Sequence, residues 1–124
     1  MSPRLLILDD DDAILALLRR YFDGLGWRVQ ACAAAPDGLR LVESHPFDAV
    51  ICDLNFGAEQ GGHGLSIVAH VRQRRPAAAI LLFTADAGDG VRVAALKAGA
   101  DAVINKPAPL AHLRDAAVRA MKSR

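Results

Sequence analysis

Apolar residues along the chain follow two alternating patterns. Leu5-Leu6-Ile7-Leu8, Ala49-Val50-Ile51-Cys52, Ile80-Leu81-Leu82-Phe83 and Ala102-Val103-Ile104-Asn105 are short, nearly continuous apolar runs. Such runs suit strands covered on both faces, as in a parallel sheet. Between them, apolar residues recur at steps of three and four, the spacing of one helix face. Ile14, Leu17, Leu18, Tyr21, Phe22 and Leu25 predict a first helix, stopped by Gly24 and Gly26. A short extended segment around Trp27-Arg28-Val29 follows, then a second helix near Ala35 to Ser44 that carries Leu39 and Val42. Pro36 suits its first turn, where a missing N–H leaves no helix bond unmade. A third helix is predicted over Leu65 to Arg74, halting before Pro76, and a fourth over Val91 to Ala98, with Gly99 as its stop. The last runs from Leu110 to Met121, with Leu113, Ala117 and Met121 on one face.

Five alternations of strand and helix predict a doubly wound α/β sheet with right-handed crossovers, one domain spanning residues 1–124. No repeat or low-complexity tract interrupts it.

Composition narrows this further. Of the 124 residues, 52% are hydrophobic but only 5% aromatic, so the core is aliphatic. Fifteen Lys and Arg against fourteen Asp and Glu leave a net charge of +1, too little to draw the chain to nucleic acid or an anionic membrane. The clusters Arg19-Arg20, Arg72-Arg74-Arg75 and the tail after Arg119 read as solvated helix faces. Cys32 and Cys52 are too few for a disulfide framework, and no stretch has the pattern of a signal peptide or membrane span, so a cytoplasmic location is expected. Cys52, inside an apolar run, reads as a small core residue. His45, His63, His70 and His112 lack zinc-ligand spacing with either cysteine.

The chemistry lies where the strands end. Asp9 to Asp12 follow Leu8, Asp53 follows Cys52, Thr84 follows Phe83, and Lys106-Pro107 follow Asn105. Each has an ordinary reading alone: helix start, turn residue, N-cap, surface turn. Together they place polar groups at the carboxyl ends of four buried strands, where open α/β sheets bind ligands. Carboxylates converging there would raise one another's pKa unless a cation joined them, and Mg²⁺ is a hard ion that prefers such oxygen ligands.

The segments LLILDDDDAILALL, AVICDL, ILLFTA and AGADAVINKP resemble the receiver domain of two-component response regulators. The spacing agrees, with 31 residues from Asp53 to Thr84 and 22 from Thr84 to Lys106. The resemblance covers essentially the whole chain. It implies a flavodoxin-like sheet of order 2-1-3-4-5 with five helices on both faces. Asp53 would be the phosphoacceptor, with Thr84 donating its hydroxyl to the phosphoryl group and Lys106 contacting a phosphoryl oxygen. Asp9, Asp10, Asp53 and the backbone carbonyl of Asn55 would hold Mg²⁺, with Asp10 the direct ligand of the first pair. Asp11 and Asp12 fall outside the motif and would cap or charge the first helix. The Lys106-Pro107 bond is expected to be cis, and Asn55 and Asp86 occupy positions that influence dephosphorylation in receivers. The implied partners are a sensor histidine kinase or histidine phosphotransfer protein and a downstream effector domain or protein, with a homodimer compatible, and with no membrane or direct nucleic-acid contact by this chain. Such a domain phosphorylates and dephosphorylates itself and is not a turnover enzyme. It either stands alone or belongs to a longer regulator.

Two departures stand out. After Asp53 the sequence is DLNFGAEQGGHGL, with Phe56-Gly57 in place of the family's Met-Pro and about three extra residues before Gly64. Gly57, Gly61, Gly62 and Gly64 predict conformational freedom there. Val103 stands where receivers often carry Tyr or Phe. Rival readings are a haloacid-dehalogenase-type aspartyl-phosphate phosphatase, a flavodoxin-like binding module and a non-phosphorylated pseudo-receiver. The first would place an acid/base Asp at position 55, which is Asn, and the second would set four aspartates against a flavin phosphate.

Overall fold

A computed structural model describes residues 2–58 and 63–124. The elements are β1 (Arg4–Leu8), α1 (Asp12–Gly24), β2 (Arg28–Cys32), α2 (Ala35–Ser44), β3 (Ala49–Cys52), α3 (Gly64–Arg74), β4 (Ala79–Thr84), α4 (Asp89–Ala98), β5 (Ala102–Asn105) and α5 (Leu110–Lys122). The strands form one parallel sheet of order β2-β1-β3-β4-β5, as the resemblance implied.

Alternation along each strand builds two cores. Leu6, Leu8, Val50, Cys52, Ile80 and Leu82 face one side, with Val42 of α2, Ile67, Val68 and Val71 of α3 and Ala95 of α4. Leu5, Ile7, Ile51, Leu81 and Phe83 face the other, against Leu18 and Phe22 of α1 and Leu113, Ala116 and Ala117 of α5. Each fully buried Leu, Ile or Phe contributes roughly 1.5–3 kcal/mol relative to exposure. Phe22 also packs against Trp27, with ring centroids 4.8 Å apart.

The edge strand β2 differs from the sequence reading. It extends from Arg28 to Cys32, beyond the predicted segment, and pairs with the whole of β1 from Arg4↔Arg28 to Leu8↔Cys32. Gln30, Ala31 and Cys32 are only half-buried, so pairing with β1, rather than hydrophobicity, defines this strand.

At the amino end of the sheet, Arg72 of α3 ties several segments together. Its guanidinium donates to the carbonyls of Gly99 (3.0 Å), Pro76 (2.9 Å) and Ala78 (2.6 Å) and to Asp101 (3.0 Å). Asp101 in turn accepts from the Ile80 amide at 2.9 Å and pairs with Arg124. The Lys106–Pro107 peptide bond is cis, as expected.

Candidate functional site

At the opposite end, β1, β3, β4 and β5 deliver their terminal polar residues to one place. The Asp9 amide donates to the Cys32 carbonyl (3.2 Å) and the Asp53 amide to the Leu8 carbonyl (2.9 Å), continuing the ladder until both side chains clear the sheet. The Lys106 amide bonds the Thr84 carbonyl at 2.8 Å in the same way. The surrounding apolar core leaves Asp9 4%, Asp53 8% and Thr84 1% exposed. The Lys106 ammonium closes the group, 2.7 Å from Asp9 Oδ2 and 3.2 Å from Asp53 Oδ1.

Backbone amides orient the carboxylates. Asp9 Oδ1 accepts from the Asp11 amide (2.9 Å), and Asp53 Oδ2 from the Asn55 amide (3.1 Å). The acidic run therefore divides its work. Asp9 is buried in the site, Asp10 is exposed, Asp11 caps α1 by accepting from the Ala13 amide at 2.9 Å, and Asp12 lies in the first helical turn. Thr84 does not cap α4, whose N-cap is Gly88; its Oγ1 accepts from the Asp86 amide at 3.2 Å, in a turn above the site. Asn55 and Asp86 flank the group and are exposed.

Burial pushes the Asp9 carboxyl above the usual carboxylate range, and the hydrogen bond from Lys106 only partly reverses this. Burial pulls the Lys106 ammonium down, but hydrogen bonding and charge from Asp9 and Asp53 outweigh it and leave Lys106 above its ordinary value. Burial beside Asp53 and Asp9 also raises the Cys52 thiol, keeping it neutral, as a core residue should be.

Two carboxylates against one ammonium leave one uncompensated negative charge among hard oxygens. That donor chemistry fits a small divalent cation. Among the described residues, no three His, Cys, Asp or Glu side chains are already gathered as a metal cage. Lys106 links the two buried carboxylates, and the Asn55 carbonyl accepts from the Ala58 amide at 3.0 Å while keeping a second lone pair.

A family model described as the response regulator receiver domain matches residues 5–118. The chain belongs to this family. It is a receiver of two-component phosphorelay signalling, which removes the phosphatase and flavodoxin readings. The receiver is 31% identical over 121 residues to the alginate biosynthesis transcriptional regulatory protein AlgB of Pseudomonas aeruginosa, covering 98% of this chain and 26% of that protein. It is 33% identical to the photosynthetic apparatus regulatory protein RegA of Rhodobacter capsulatus, covering 84% and 55%. The chain thus spans between about a quarter and just over half of these relatives. A CheY-like receiver domain protein of Methanospirillum hungatei superposes with a TM-score of 0.91 at 28% identity, covering 99% of this chain and 96% of that one. A Burkholderia pseudomallei response regulator, described with a phosphorylated aspartic acid, a calcium ion and citrate, gives 0.88 at 28% identity, covering 98% and 71%.

Within the receiver, the loop after Asp53 is less free at its ends than its glycines suggested. Leu54 and Phe56 are buried, Phe56 completely. The Phe56 ring lies under α2, where Gly38 supplies the room: a Cβ there would come 2.6 Å from Leu8 Cδ2 and 3.5 Å from the Phe56 ring. At the far end the Gly64 amide donates to the Leu54 carbonyl at 2.8 Å, and a Gly64 Cβ would fall 2.4 Å from the Asp53 carbonyl oxygen. Gly64 therefore lets α3 start directly against the Asp53 backbone. Gly61 and Gly62, part of the predicted insertion, lie outside the described residues. Sequence reasoning did not find the role of Phe56, although its place in the Met-Pro position was visible. It also missed Phe83, whose ring lies 5.4 Å from the Lys106 ammonium.

Proposed function

We propose that Asp53 accepts a phosphoryl group from the phosphohistidine of a sensor kinase or histidine phosphotransfer protein. An Asp53 carboxylate oxygen attacks phosphorus, the P–N bond breaks, and the leaving imidazole takes up a proton. Asp9, Asp10, Asp53 and the Asn55 carbonyl would hold Mg²⁺, which would neutralise phosphoryl charge during transfer. Lys106 binds a phosphoryl oxygen, and Thr84, whose hydroxyl proton is free to donate while Oγ1 accepts from Asp86, bonds another. The observation that carries this reading is the Lys106 ammonium held between Asp9 and Asp53. It marks the point where positive charge meets the nucleophile.

The reading extends to one receiver domain over residues 1–124, acting as a switch without turnover of a separate substrate. Its phosphorylated form would present an altered surface to an effector domain or protein, or to a second copy. Action in the cytoplasm belongs to the same reading. No helix among the described residues is long and apolar enough to cross a membrane.

Intact-protein mass spectrometry after treatment with acetyl phosphate and Mg²⁺ is expected to find one labile phosphoryl adduct, absent in Asp53→Asn and with chelator. An adduct persisting in Asp53→Asn would overturn the assignment, and an unmodified native protein would mark a pseudo-receiver.

A further inference from the structure

Lys106 touches a third group besides the two carboxylates. Phe83 is the last apolar residue of β4, pairing with Ile104 of β5 one register before Thr84↔Asn105, and the Lys106 ammonium lies over its ring. Its ring is 4% exposed, held among the residues of the α1/α5 core, and the Lys106 ammonium lies 5.4 Å from the ring centroid. We propose that the Phe83 ring is a positioning residue that holds the Lys106 ammonium at the site through its negative π face. This rests on the reading of Asp53 as phosphoacceptor.

The argument turns on what stays fixed. The shortest contact of Lys106 is to Asp9, at 2.7 Å, against 3.2 Å to Asp53. Asp9 is also a carboxylate proposed to serve a divalent cation. Once that carboxylate is shared with a cation, the ammonium loses part of its strongest partner. The ring, locked by packing, gives up nothing in that exchange and still attracts the cation from below. Asp53, the remaining partner at 3.2 Å, is the group that reacts, so for a long, flexible lysine stem with one charged end the ring is the support that the chemistry does not alter. An aliphatic residue would fill the space without the quadrupole that attracts the charge.

The test replaces Phe83 with mono-, di- and trifluorinated phenylalanine, which drains the negative ring face at nearly constant shape, alongside Phe83→Leu. Initial rates of adduct formation at Asp53 with acetyl phosphate and Mg²⁺ are expected to fall stepwise with fluorination, by about two- to fivefold at the end of the series. Thermal midpoints should stay level across the fluorinated proteins. A rate independent of fluorination, or Phe83→Leu reacting like the native protein, overturns the proposal. Should the native protein form no adduct at Asp53, the phosphoacceptor reading fails, and the ring contact is decided separately by the Lys106 ε-methylene proton shift. An upfield ring-current shift that disappears in Phe83→Leu supports the contact; an unchanged resonance overturns it.

Discussion

Asp9 sits 2.7 Å from an ammonium, yet burial leaves its carboxyl above the usual carboxylate range. A group that binds its proton more tightly when folded gives stability that is complete below its unfolded pKa and is lost as pH rises through its folded value. The ionised form of Asp9 is therefore a net cost to the metal-free fold. Lys106 has the same sign: burial lowers it, its two partners raise it more, and the stability it adds is lost only as pH climbs through its raised, alkaline value. Asp9→Asn is accordingly expected to leave the thermal midpoint unchanged or raise it in chelator, and to abolish the rise that Mg²⁺ gives the native protein. A large fall in chelator would count against this account. The sequence identified Asp9 as a site residue, but its electrostatic state follows from a burial that only the packed strands supply.

Two loops are expected to carry the response at the level of elements. Without an aromatic ring at Val103, a stiff β-branched side chain has no distal group to relocate. The β4–α4 loop is instead tied down by Arg92, which donates to the Ala87 carbonyl at 3.0 Å and the Val103 carbonyl at 3.1 Å. The Thr84 turn lies directly before that clasp. Beryllofluoride and Mg²⁺ are expected to shift amide resonances most strongly in residues 84–88 and in the loop after Asp53, more weakly in β5 and least in α5. Dominant changes across α5 would show that movement reaches the far face by another route. The buried Leu54 and Phe56 add a refinement: the Asn55 and Phe56 amides, which bond Asp53, should shift with the site, while the Leu54 and Phe56 side chains, packed into the core, should stay in place.

The whole molecule separates its chemistry from its structural clamp. Asp9, Asp53, Thr84 and Lys106 gather at the carboxyl ends of the strands, whereas Arg72, Asp101 and Arg124 lock the amino ends. Arg72 and Asp101 side chains are 18% and 17% exposed, so removing Arg72 takes the side-chain donor from the Gly99 and Ala78 carbonyls and leaves Asp101 to Arg124 and the Ile80 amide. Arg72→Ala is expected to lower unfolding free energy by about 2–3 kcal/mol in urea titrations. Phosphorylation of the folded fraction should be unchanged, and a loss of rate with intact folding would mean the two ends are coupled.

Amino-acid order alone determined that Leu5–Leu8, Ala49–Cys52 and Ile80–Phe83 must be covered on both faces, because apolar residues there occupy both sides of each strand. It also fixed the helices between them, and therefore that the polar residues following these runs emerge at one edge. The receiver motif added the strand order and the cis Lys106–Pro107 bond, and both appear in the fold. Tertiary structure decided the rest. The full length of β2 depends on its partner β1, the division between Asp9 in the site and Asp11 on the helix cap depends on where α1 begins, and Phe56 is anchored because Gly38 on a different element leaves space for it. Periodicity states which face a residue takes, but not what approaches that face from elsewhere in the chain, and so the ring of Phe83 beneath Lys106 emerged only once β4 and β5 lay side by side.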